Sequence, residues 1–237
     1  LAELPLHPRF AQMLVKAGPI AAPLAALLSD RDILTSHEAD LTPALQALSN
    51  KGPNHQIRDA GALKRIKMEA DRLVKLIPKN SVFLKHTPAQ CLALAYPERV
   101  AQRRQGAQPH YIMVNGKGVV LANDDGLAHE PFLVIAELGN PHHSSGADPK
   151  VRRALSISSD EIRKIFSTQI KWLETCRWSK RDRKVLSIQT ESLGSISLTS
   201  QNWPQVPTQK VSLAMLDGVK QIGLNLPKAA QLIQARA

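Results

Sequence analysis

Arg58, Arg65 and Arg72 recur at intervals of seven residues in "IRDAGALKRIKMEADRLVKLIP", with Lys75 close behind. On a helix that spacing holds the side chains to nearly one side. A row of guanidinium groups can follow a phosphodiester backbone, because each contact releases counterions and adds affinity that ignores base sequence. The alternative is a solvated face, its charges paired with Asp59, Glu69 and Asp71. A second basic group, Arg99, Arg103 and Arg104, closes "LALAYPERVAQRR", an apolar run broken by Pro97. In a strand, Arg99 and Arg103 share one face and Arg104 takes the other. Such residues can wall a groove for single-stranded nucleic acid or protect a sheet edge. Lys117, beside a turn, is placed to touch a ligand or to keep a loop solvated. Tyr111 can stack a base or fill a core, but aromatics at 4% of the chain argue against a broad stacking platform. The densest positive cluster is "WSKRDRK", residues 178–184, read as either a solvated hairpin tip or a nucleic-acid contact.

Catalytic constellations are missing. There is no GxxxxGK[ST] phosphate loop, DExH box, GxSxG elbow or HExxH pair, so no catalytic residue is assigned and the chain reads as non-catalytic. His142 and His143, with Asp148 nearby, are the one place where a metal could be sought. Adjacent histidines in a Ser/Gly/Pro loop are ordinarily solvated, and ligation needs further placed donors; no metal is assigned. Cys91 and Cys176 belong to no CxxC pair, which points to a reduced, cytoplasmic setting.

The elements that must position these residues fall into two textures. Residues 1–95 read as helices: "HPRFAQMLVKAG" starting at Pro8 and stopping at Gly18, "AAPLAALLSDRDIL", "DLTPALQALSNKGP" with Thr42 as cap, the arginine-bearing helix, and "TPAQCLALAY" with Thr87 as cap. The arginine helix buries Leu63, Ile66, Ala70, Leu73 and Ile77 and ends at Pro78. After Pro97, short β-rich runs alternate with turns: "RVAQRR", "HYIMV", "KGVVLA", "FLVIAEL" and "KVRRALSIS", then a helix "SSDEIRKIF". Asn115-Gly116 suits a two-residue hairpin turn that would set Ile112 against Val119 and Tyr111 against Val120. Five strands and a helix fit a small OB-like barrel over 96–166. "GNPHHSSGADP" loops between the last two strands. Three further strands and two helices, "TQKVSLAMLDGVKQIG" and "PKAAQLIQARA", make a mixed β/α extension over 167–237. The expected class is α+β: a helical bundle, an OB-like barrel and the extension.

The 237 residues, 43% apolar, suffice for two or three modest cores, and the net charge of +11 favours nucleic acid or another acidic partner. The run Pro19–Leu28, broken by Pro23, is too short to span a membrane, and the start lacks the pattern of a signal peptide. The absence of an initiator methionine suggests a fragment of a longer protein.

Five motifs occur in order: "LAELPLHPRFAQML", "AALLSDRDIL", "LALAYPERVAQRR", "YIMVNGKGVVL" and "FLVIAELG". Together they resemble the C-terminal half of the HrpB-like bacterial ATP-dependent helicases of the DEAH/RHA group, over most of residues 1–160 and more weakly to the end. The resemblance implies a ratchet-like bundle, an OB-like domain and a family-specific extension. Two RecA-like motor domains would precede them in the same parent protein and carry ATP, Mg²⁺ and hydrolysis; no cofactor is assigned to this chain itself. It also implies that the bundle and OB-like domain roof a tunnel for single-stranded RNA. The arginines and lysines named above are then candidates for holding RNA, or DNA, by its phosphates. The loops "GAQP" and "NPHHSSGADP" depart from the family pattern. A second function class is a protein-interaction module docking an acidic partner, and a third is a hydrolase using His142 and His143.

Overall fold

The computed structural model describes residues 6–35, 38–50, 57–77, 83–139 and 148–222, which form two compact units. One comprises residues 1–170 with 193–196, the other 171–192 with 197–237.

In the first unit, α1 (Pro8–Ala17) begins where the sequence expects, with Pro8 in the first turn and the His7 ring accepting from the Arg9 amide. Gly18, at φ 72°, ends it. The Phe83 ring occupies the space a Cβ would need there, so both backbone sign and packing call for glycine. A 3-10 turn over Gly18–Ala21 leads into α2 (Ala22–Ser29). By length and composition Pro8–Ser29 passes for a membrane-spanning helix, but it is broken at that turn and mostly buried inside the unit. The small residues Ala22, Ala25 and Ala26 let α2 pack closely on α4 (Ala60–Leu76). The buried seam of α4 is Ala62, Ile66, Ala70 and Leu73, with Leu63 only half-buried. Its cap is Asp59, whose carboxylate accepts from the Ala62 amide at 2.8 Å. Pro78, the expected stop, lies outside the described residues. A short α3 (Thr42–Leu48) begins at Thr42 instead of being capped by it, because Asp40 takes the Thr42 amide at 2.8 Å. Thr87 does cap α5 (Pro88–Ala95), in a reciprocal box with Gln90.

The strands β1 (Val100–Arg103), β2 (His110–Met113), β3 (Gly118–Val120), β4 (Phe132–Leu138) and β5 (Val151–Ser156) form one antiparallel sheet in the order β3-β2-β1-β4-β5. The sheet curls until Val120 meets Lys150 in a parallel bridge, the Val120 amide donating to the Pro149 carbonyl at 3.1 Å. Its hollow holds Ala101, Tyr111, Val119, Leu133 and Ile135. On the other side of β4, Phe132, Val134 and Ala136 are also buried, and α5 packs against β4 and β5. This accounts for the unbroken apolar run "FLVIA", which a strand with one wet face would not show.

The β2–β3 hairpin departs from the expected register by one residue. Tyr111 pairs with Val119 and Ile112 with Gly118. The connection is longer than two residues: the Met113 amide donates to Lys117, Gly116 donates back to Met113, and Gly116 takes φ 84°. Only Gly116, and not Asn115, takes a left-handed backbone, so the two-residue turn that needs both gives way to a longer loop and one residue of slip follows. α6 (Ser159–Phe166) closes the unit.

The second unit is a three-stranded antiparallel sheet of β6 (Lys171–Ser179), β7 (Lys184–Leu193) and β8 (Ile196–Asn202), with α7 (Thr208–Ile222) packed on β6. The final expected helix, "PKAAQLIQARA", lies outside the described residues. The architecture is thus mixed α+β, with helices around a curled antiparallel sheet.

Candidate nucleic-acid interface

The eight basic residues singled out by spacing divide sharply once their partners are known. Arg58 lies before the Asp59 cap, so it is not part of the α4 row. Its amide donates to the Ile33 carbonyl at 2.8 Å and its guanidinium to the Asp32 carbonyl at 3.2 Å. The extended pairing of Leu34 with Ile57 holds it there and ends the heptad spacing. Arg65 and Arg72 are on α4 and exposed. Arg65 approaches Asp30 at 4.0 Å across an open cleft of about 800 Å³ that Glu69 also lines. Arg72 grips Glu69 through two hydrogen bonds of 2.7 and 2.8 Å, which hold the Glu69 carboxyl below its usual range. Surface pairs of this kind contribute little and exchange readily for another anion. Lys75 is exposed and has no partner among the described residues.

Arg99 belongs to a 3-10 turn over Pro97–Arg99, ahead of β1, so it does not share a strand face with Arg103. Its guanidinium lies over the Tyr96 ring at 4.5 Å and donates to the Ala136 carbonyl of β4 at 2.7 Å. Arg9 stacks over the same ring at 5.0 Å, donates to the Ala95 carbonyl and pairs with Glu98 at 2.6 Å. Tyr96 and the two arginines form a clasp joining α1, the end of α5 and the sheet. Arg103 donates through Nε to the Ala128 carbonyl at 2.9 Å. Only Arg104 and Lys117 in this region are exposed with side chains unpaired among the described residues.

Tyr111 resolves the choice posed by the sequence in favour of the core. It is fully buried, shares its hydroxyl hydrogen between the Leu127 and Glu130 carbonyls, each at 2.9 Å, and burial pushes its pKa up to about 12. Cys91 is likewise buried, its thiol pushed up to about 12, and both cysteines are free. His142 and His143 lie outside the described residues. Among the described residues no group of three or more His, Cys, Asp or Glu side chains could hold a metal ion. Asp148 approaches His110 at 3.8 Å.

One feature escapes sequence reasoning. Asp125, which looks like a turn residue, is a buried carboxylate accepting from the Ala39 and Leu127 amides at 2.8 and 2.9 Å. It holds the segment that pairs along β5, where Ala154 donates to Ala39 and Leu41 to Ala154. Nothing local in the sequence signals that partner 86 positions away. In the second unit, "WSKRDRK" tops the β6–β7 hairpin, the tip position its sequence suggests. Arg177, Lys180, Arg181, Arg183 and Lys184 have no partner among the described residues. The acid among them, Asp182, accepts instead from the Ser179 hydroxyl at 2.8 Å.

No protein-family model matches the chain. Along 95% of its length it is 26% identical to the ATP-dependent RNA helicase HrpB of Escherichia coli K12, of which it spans 26%. Two crystal structures share its fold. One, of the E. coli DExH-box NTPase HrpB, superposes with a TM-score of 0.62 at 22% identity, covering 98% of this chain and 27% of that one. The other, of the E. coli DEAH/RHA helicase HrpB, gives 0.64 at 21%, covering 92% and 26%. The resemblance carried by the five ordered motifs therefore holds over nearly the whole chain, which spans about a quarter of the helicase it matches.

Proposed function

We propose that this chain is an accessory module of an HrpB-like ATP-dependent RNA helicase, holding single-stranded nucleic acid by its phosphates for RecA-like motor domains of the same parent protein. The similarity to HrpB along 95% of the chain carries the reading. Translocation needs grip without base readout, and a basic, aromatic-poor surface meets that need. The strand order β3-β2-β1-β4-β5, joined end to end by the Val120–Lys150 bridge, supports an OB-like barrel over 96–166. Residues 1–95 are then the ratchet-like bundle and 167–237 the extension. ATP and Mg²⁺ belong to the motor, and a cytoplasmic location accompanies the role.

Of the basic residues singled out in the first unit, Lys75, Arg104 and Lys117 are the ones open to phosphate, with Arg65 and Arg72 available by exchange from their half-buried carboxylates. Arg58, Arg99 and Arg103 hold backbone carbonyls. Fluorescence anisotropy of the chain with labelled oligo(U) across a salt series tests the reading. Single strands should bind and weaken steeply with salt, and Lys75→Ala/Arg104→Ala/Lys117→Ala should flatten the slope by about 0.7 for each phosphate left without its cation. Absence of binding at low salt would reject the reading and favour a module that docks an acidic protein.

A further inference from the structure

The sheet of the second unit separates its charges by face. Side chains alternate along a strand, and residues directly opposite in the antiparallel register share a face. Trp172, Glu174, Cys176 and Trp178 of β6 therefore lie with Glu191, Gln189, Ser187 and Val185 of β7. α7 covers this side: Lys210 pairs with Glu174 at 3.3 Å, and Gly218 meets the Trp178 indole so closely that a Cβ would collide with it. Both carboxylates of the sheet, Glu174 and Glu191, are on this face.

The opposite face carries no carboxylate. Lys171 and Arg177 of β6 lie there with Lys184 of β7, and all three are exposed and unpaired among the described residues. Lys171 and Arg177 stand about 20 Å apart along the strand. Between them the surface combines apolar side chains, Leu173 at 52% exposed with Ile188 and Leu186 half-buried, and hydroxyls: Thr175 is exposed, and Thr190 meets Ser200 at 3.1 Å across β7 and β8. The track runs up to Lys180, Arg181 and Arg183 at the tip, where Ser179 has tied the lone acid away. Cations, neighbouring hydroxyls and no opposing carboxylate are the side-chain set that meets phosphate and sugar oxygens.

We infer that the open face of the β6–β8 sheet, with its basic hairpin tip, is a binding site for a single-stranded polynucleotide backbone. This rests on the accessory-module reading and adds to it a site outside the first unit. An extended chain lies along the strand direction and meets the cations in turn. Leu173, Leu186 and Ile188 offer apolar contact that does not distinguish bases. The one-sided charge is unlike a surface kept soluble by interspersed signs.

The test uses the full chain and labelled oligo(U), oligo(dT) and an RNA duplex. The open-face variant is Lys171→Gln/Arg177→Gln/Lys184→Gln. A charge-matched control, Lys16→Gln/Lys64→Gln/Lys220→Gln, removes three exposed cations elsewhere. All three tryptophans, Trp172, Trp178 and Trp203, belong to the second unit, so unchanged emission confirms that the sheet is intact. The open-face variant should lose about tenfold in single-strand affinity at 100 mM salt, and its salt slope should fall by about 2, while the control stays within about twofold of the parent. Weaker binding of either single strand supports the site, and the polymer that weakens more shows which sugar it prefers. Parent-like affinity and slope would overturn the site. If the first-unit variant alone then fails to bind, the module reading survives. If the parent binds no polymer, both fall. An equal weakening on the duplex, or in the control, would also overturn the inference.

Discussion

At the scale of single residues, the basic side chains differ in what their charge already holds. The Arg99 guanidinium satisfies the Ala136 carbonyl and covers Tyr96, and Arg103 satisfies Ala128. Removing either leaves a carbonyl without its charged donor, which costs about 1.5–3 kcal/mol. Arg104 and Lys117 have no such duty. Arg99→Ala and Arg103→Ala should therefore lower the thermal midpoint by several degrees, whereas Arg104→Ala and Lys117→Ala should leave it unchanged and reduce oligo(U) affinity. The opposite assignment, with Arg99→Ala melting like the parent, would show that the clasp around Tyr96 is not structural. The sequence made all of these residues visible as a basic group but could not divide them. The division depends on carbonyls supplied by β4 and by the segment after Ala122, and spacing along the chain says nothing about them.

At the scale of elements, local signals were the legible part. Thr87 with Gln90, and Ser158 with Glu161, each form a reciprocal cap because both partners lie within one turn of each other. What the sequence could not show is that the two caps are joined. The Thr87 hydroxyl donates to Glu161 at 2.6 Å, and the Gln90 amide reaches the Glu161 carbonyl. Burial alone would raise the Glu161 pKa. The hydrogen bonds from Thr87 and Ser158, with Lys164 nearby, outweigh it and hold the carboxyl below its ordinary 4.5. A carboxylate depressed in the folded state stabilises above its ordinary value, and that stability disappears as pH falls through the folded value. Glu161→Gln should accordingly melt below the parent near pH 6, with the gap narrowing as pH falls below 4.5. A gap that persists at low pH would assign the role of Glu161 to shape instead of charge. The same local logic failed where two or three residues decided the outcome: Asn115 did not join Gly116 in a left-handed backbone, which lengthened a hairpin loop, and the Leu34–Ile57 pairing kept Arg58 off its helix.

At the scale of the molecule, chain order and spatial order part company at one place. The mixed α+β class and the sequence of helices and strands were legible because each element has its own period. The return of residues 193–196 to the first unit was not, since it interrupts a strand pair that reads locally as one hairpin. Leu193 and Ile196 are buried, and the Ser195 amide donates to the Val114 carbonyl at 3.0 Å. Gly194 makes this approach feasible: it takes φ 55°, and an added Cβ would press on the Val114 carbonyl and side chain. Alanine there combines a left-handed backbone with a steric displacement, a cost on the order of 1–3 kcal/mol. That cost falls on the Val114–Ser195 hydrogen bond, not on the β6–β7 ladder, whose nine residue pairs lie beyond it. Hydrogen exchange should therefore speed up at the Ser195 amide in Gly194→Ala while the central amides of β6 and β7 keep their protection. Uniform deprotection across the second sheet would mean instead that this sheet depends on the turn for its own stability, so that turn and ladder open as one cooperative unit.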